Sequence, residues 1–117
     1  MIELELLNYL INCQITGIGN NVFMEVPAKN IPDKYILIEK TGSHETDRIY
    51  SASFAIQSIS KNGLFEAATI NSLVIEAMDS MRDIANVYSA HLNSDYNFTD
   101  TDTKEYRYQA VYEIYYN

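Results

Sequence analysis

The chain has 117 residues, 47% of them hydrophobic and 21% charged, with only four Gly and two Pro. That is the length of one domain able to bury a core without metal or disulfide staples, and it excludes a linker-rich or intrinsically disordered polypeptide. Sixteen acidic against eight basic residues give a formal charge of -8, which argues against duplex nucleic acid or an anionic membrane as primary ligand, because cations hold both.

In chain order, Leu4, Leu7, Leu10 and Ile11, flanked by Ile2 and Leu6, recur at helical spacing. With Glu3 and Glu5 in the first turn, where the helix dipole favours them, residues 3–13 read as a short amphipathic helix. Gly17 to Asn21 breaks the chain, and Val22 to Val26 is a plausible short strand ended by Pro27. After a turn at Pro32-Asp33-Lys34, the apolar run Tyr35–Glu39 suggests a strand covered on both faces.

Thr41 to Asp47 reads as a polar loop. Arg48 to Ser60 then alternates, with Tyr50, Ala52, Phe54 and Ile56 on one face and Ser51, Ser53, Ala55 and Gln57 on the other. Asn62 is a reasonable helix N-cap. Ala67, Ile70, Val74, Ala77, Met78 and Met81 fill one stripe of a main helix over 64–84, with Glu66, Asn71 and Glu76 outside it. Val87 to Phe98 and Glu105 to Tyr116 form a closing hairpin. The order α-β-β-β-α-β-β, with hairpin-length connections, predicts an α+β fold: a mainly antiparallel sheet of four or five strands with two helices packed on it, in a single domain spanning 1–117. Tyr50, Phe54, Ile56, Val74, Met78 and Ile114 are the expected core.

No catalytic constellation emerges, and an enzyme is not expected. His44, Glu45 and Asp47 share one segment and His91 lies elsewhere, without the spacing a zinc site requires. Asp95, Asp100, Asp102 and Glu105 lack the central Gly and terminal Glu of a calcium loop and read as an acidic hairpin. Cys13, the single cysteine, cannot form an internal disulfide, which fits a reducing compartment such as bacterial cytoplasm. With no basic neighbours to stabilise a thiolate it reads as a small buried hydrophobe. No GxSxG, GxxxxGK[ST] or GxGxxG occurs. No metal or other cofactor is expected. The acidic Met1–Glu5 segment has no basic n-region, so no signal peptide is expected, nor is there an apolar run long enough to span a membrane.

Tyrosine distribution is the remaining signal. Tyr88, Tyr96, Tyr106, Tyr108, Tyr112, Tyr115 and Tyr116 all fall in the last hairpin, and they suit a one-sided core or a subunit contact equally. Connections free of packing duty are where assembly contacts often sit. The segment Thr41–Asp47 is too long for a tight hairpin, and Asp100–Lys104 alternates Asp and Thr. Gly42, Ser43, His44, Glu45, Asp47 and Arg48 in the first, and Asp100, Asp102 and Lys104 in the second, are therefore the candidate protein-interface residues.

The stretch "VFMEVPAKNIPDKYILIEKTG", followed by "SASFAIQSISKNGLFEAATINSLVIEAM", resembles the tail terminator, or tail completion, proteins of long-tailed bacteriophages. Pro27, Pro32, Tyr35, Ile36 and Ile38 fit that family's middle pattern, although two residues separate Pro32 from Tyr35 where the family often joins Pro to Tyr directly. The resemblance covers nearly the whole chain, in pattern more than in identity. It implies a structural subunit at the head-tail junction of a virion, made in the bacterial host cytoplasm. Its copies would form a homo-oligomeric ring, a hexamer by analogy, that stops tail-tube polymerisation. Its partners would be itself, the tail tube protein and the head connector protein, with no membrane, and genomic DNA would pass through without specific binding. An acidic wall would repel phosphates in such a passage. The competing readings are a small acidic binding module that inhibits a host protein, and a metal-dependent hydrolase built on His44, Glu45, Asp47 and His91.

Overall fold

The computed structural model describes residues 1–103 and 105–117. Two helices, α1 (Ile2–Asn12) and α2 (Leu64–Met78), accompany five strands: β1 (Val22–Phe23), β2 (Lys34–Thr46), β3 (Ile49–Ser60), β4 (Val87–Asn97) and β5 (Tyr106–Tyr116). The strands form one sheet in the order β1-β2-β3-β5-β4. All its pairs are antiparallel except the two-residue β1, which lies parallel to β2 with Val22 beside Ile36. The α+β class and the element order expected from the sequence are those observed.

Both helices pack on one face of the sheet. Ile2, Leu6 and Leu10 of α1 and Ile70, Val74 and Met78 of α2 meet Ile36, Ile38, Ala52, Phe54, Ile56, Ala110, Tyr112 and Ile114 in a single core. The period of two along β3 and β5 and the i, i+4 steps along the helices bring these side chains together. Full burial of a residue such as Leu6 is worth about 2 kcal/mol.

Several local expectations differ from what is observed. The apolar stripe of α1 runs Ile2–Leu6–Leu10, which leaves Leu4 exposed. The second helix stops at Met78, and a short 3-10 turn, Met81–Asp83, still brings Met81 into the core. Its N-cap is Gly63 rather than Asn62, whose side-chain amide instead donates to Glu66 Oε1 at 3.0 Å. Asn71 is buried, not outside: it sits one turn beyond Ala67 on the packing face. Cys13 is exposed, because it caps the end of α1 as the chain turns away through Gln14 at positive φ.

The opposite face of the sheet carries no helix among the described residues. Along it runs a polar ladder: Arg107 Nη1 donates to Gln57 Oε1 at 2.8 Å, Gln57 Nε2 to Gln109 Oε1 at 3.0 Å, and Gln109 Nε2 to Tyr96 Oη at 2.6 Å. Gln57 and Gln109 are buried, so their mutual pairing avoids the cost of an unsatisfied buried amide.

Candidate protein interface

The segment Thr41–Asp47 is not a loop. Its residues through Thr46 continue β2, pairing with β3 from Gly42 opposite Ser53 to Thr46 opposite Ile49. Only Asp47 and Arg48 remain as the turn, with φ of 52° and 68°. Two successive positive φ values define the tight hairpin turn whose twist matches the flanking strands. The polar composition that suggested a loop reflects exposure: every residue from Glu39 to Tyr50 is exposed. These residues form an exposed arm at the edge of the sheet, level with β3, β5 and β4 as far as Glu45, and only the Thr46–Ile49 row and the Asp47-Arg48 turn extend past β5.

Side chains brace the arm locally. Thr46 Oγ1 and His44 Nε2 lie 2.9 Å apart, and Thr41 Oγ1 donates to the Ser53 carbonyl at 3.2 Å. A bulge between Lys40 and Gly42 shifts the register. Tyr50 was expected in the core, and it does share a face with Ala52 and Phe54. It lies beyond the helices, however, where it is 39% exposed and stacks on Tyr116 with ring centroids 5.5 Å apart. A hydrogen bond with Glu45 raises its phenol above the ordinary value.

The second candidate segment lies at the other pole of the sheet. β4 ends at Asn97, opposite Tyr108, whereas the arm end of β4 is Val87, opposite Tyr116. Asp100 bridges to Glu105, and its carboxylate accepts the Asp102 backbone N–H at 3.0 Å. Lys104 lies outside the described residues. Gly42, Ser43, His44, Glu45, Asp47 and Arg48 therefore lie at one end of the sheet, Gly42 and His44 on its outer face and Ser43 and Glu45 on the helix-covered face, and Asp100 and Asp102 lie at the other, along a molecule whose longest axis is 44 Å.

The residues of the metal readings do not converge. His91 occupies the row of Gly42, three strands across the sheet, about 14 Å away at ordinary strand spacing. Asp95 accepts from Asn71, and Glu105 pairs with Arg107. Among the described residues no three His, Cys, Asp or Glu side chains are grouped to hold a cation.

A feature the sequence did not reveal is an open cleft of about 400 Å³ between the end of α1 and α2, lined by Tyr9, Cys13, Leu73 and Glu76 among others. The Tyr9 hydroxyl donates to the Ala77 carbonyl. Burial first, then the Cys13 contact, pushes its phenol up to about 12. The tyrosines of the final hairpin divide between roles: Tyr112 is buried in the core, while Tyr88, Tyr96 and Tyr115 are exposed.

No helix among the described residues is long and apolar enough to cross a membrane. No protein-family model matches the chain, and no curated protein does. Among solved structures, a chain from the virion of a native gene transfer agent particle is similar at 14% sequence identity and a TM-score of 0.65, over 84% of this chain and 79% of that one. The α+β architecture is thus a fold also found in a component of that particle.

Proposed function

We propose that this protein is a structural, non-catalytic component of a phage or phage-like particle and, more finely, a tail terminator: copies form a ring at the head-proximal end of the tail, end tube growth and join the tail to the head connector. The observation that carries this reading is the arm. An edge strand exposed from Glu39 to Thr46, unpaired on its outer side among the described residues and ending in a tip that extends past β5, suits an element that a neighbour covers. The shared fold with a virion component and the sequence resemblance to tail terminators support the same reading. In this assignment Gly42–Arg48 meets adjoining subunits or rings at one pole, and Asp100 and Asp102 meet the ring at the other.

Trimming the arm in register tests the role. Removing Glu45, Thr46, Ile49 and Tyr50 deletes two paired rows and keeps the Asp47-Arg48 turn. The trimmed protein is expected to fold, yet to fail to form rings in native mass spectrometry and negative-stain images in which the parent protein does. A parent protein that stays monomeric at high concentration would favour the binding-module reading instead.

A further inference from the structure

The sheet has two open edges, and their geometry matches. On one side β1 covers β2 only at Ile36 and Leu37, so the outer edge from Glu39 to Thr46 has no strand partner among the described residues. On the other side β4 has none among them along its whole length, Val87–Asn97. Free edges are usually guarded by Lys or Pro. β4 contains no Lys, Pro or Arg and is interrupted only by bulges at Tyr88 and Asn93, while the β2 edge carries a single Lys, Lys40, beside its own bulge.

Following the pairing across the sheet puts the two edges at the same level. Glu39 shares a row with Ser94, Lys40 with Leu92, Gly42 with His91, Ser43 with Ala90, His44 with Ser89 and Glu45 with Val87. Three antiparallel steps separate β2 from β4, so they run in opposite directions. Copies related by rotation about a ring axis keep the component of their strand directions along that axis. The β4 of one copy set beside the β2 of the next is therefore antiparallel, the more stable pairing. Had the sheet one strand fewer between them, that contact would be parallel.

Charge agrees on both faces. Lys40 reaches Glu3 of α1 and Asp95 accepts from Asn71 of α2, which places both on the helix-covered face. In the row-matched pairing Asp95 faces Ile38 and is the diagonal neighbour of Lys40. On the outer face His91 is opposite Gly42 and diagonal to Glu39. Diagonal neighbours lie within reach of long side chains, and no like charges are set directly opposite one another.

We propose that the β4 edge of one copy pairs antiparallel with the Glu39–Thr46 edge of a second copy, so that sheets join into one continuous wall. This inference rests on the ring reading and names the surfaces that build it. The bulges at Tyr88 and Asn93 bend β4, as curvature in such a wall requires.

Site-directed cross-linking tests it. In a Cys13→Ser background, Ser43→Cys and Ala90→Cys are made singly and together. Cross-strand neighbours stand about 4.5–5.5 Å apart between Cα atoms, within disulfide range. Under mild oxidation the mixture of single variants is expected to give a covalent dimer and nothing larger, while the double variant gives a ladder of multimers ending at the ring size. Native mass spectrometry showing a ring, with no covalent dimer from this pair or from Gly42→Cys with His91→Cys, would overturn the edge pairing and leave the ring intact. A dimer from Ala90→Cys alone would show β4 against β4 and also overturn it. A protein that never leaves the monomer would remove the ring reading and this inference together.

Discussion

Asn71 Nδ2 donates to Asp95 Oδ2 at 2.9 Å, joining the middle of α2 to the edge strand β4. Asn71 is 3% exposed and its own Oδ1 has no hydrogen-bond partner among the described residues, so the amide is kept in the core for one bond. Asp95 is exposed and can return to water when the bond is lost. Asn71→Ala is expected to destabilise the protein by about 1–2 kcal/mol, and a double-mutant cycle with Asp95→Ala to give a coupling of about 1 kcal/mol. Chemical denaturation of the four proteins measures both. A coupling near zero would mean that the bond holds nothing in solution.

Phe54 and Tyr50 stand two residues apart on the same face, with opposite fates. Phe54 is fully buried and Tyr50 is partly open to solvent on the arm. Phe54→Ala should cost about 3–5 kcal/mol. Tyr50→Ala should cost about 1 kcal/mol, mostly the stacking on Tyr116. Equal losses in urea titrations would contradict the placement of the helices over Phe54 alone.

Arg48 holds a φ of 68° at the tip of the arm. A side chain in this region is strained by about 1 kcal/mol, and Asp-Gly is a favoured pair for this turn. Arg48→Gly is therefore expected to leave the monomer as stable or more stable, by up to about 1 kcal/mol in thermal unfolding. If the tip meets a neighbour, the same variant weakens ring formation. Stability and assembly then move in opposite directions, a split that a purely structural role for Arg48 does not produce.

Glu66 accepts hydrogen bonds from Ser60 Oγ at 2.7 Å and Asn62 Nδ2 at 3.0 Å. These bonds, that of Ser60 first, hold its carboxyl below the ordinary value of 4.5. A lowered folded-state pKa stabilises the fold at pH values above the unfolded pKa, and the effect is lost as pH falls through the lowered value. The difference in Tm between the parent and Glu66→Gln should therefore be constant from neutral pH to about 5 and shrink below that. A difference that stays unchanged as the pH falls well below 4.5 would show that the bonds do not favour the charged form.

The parts of the fold legible in the sequence are those where burial imposes a period. Phe54 and Ile56, or Ala110, Tyr112 and Ile114, announce their strands because one face meets helices. Beyond the helices the period disappears: Glu39–Thr46 is strand by backbone pairing alone, and its polar side chains carry no trace of it. The two-residue turn was equally silent, since neither Asp47 nor Arg48 is glycine. Asn71 was misplaced for the converse reason, a polar residue at an apolar position. The candidate interface residues stand out in the sequence by polar composition alone, and their separation to opposite ends depends on strand order, which no local pattern encodes.

Strand order also bears on how the molecule is made. β5 comes last in chain order yet lies inside the sheet, between β3 and β4. A growing polypeptide on the ribosome can close the local β2–β3 hairpin early, but β3 and β4 have no common partner until residues 106–116 emerge. Until then both present bare backbone to any extended segment nearby, and interrupted synthesis would release chains prone to aggregate. The sheet is completed by insertion at its centre rather than by growth from an edge.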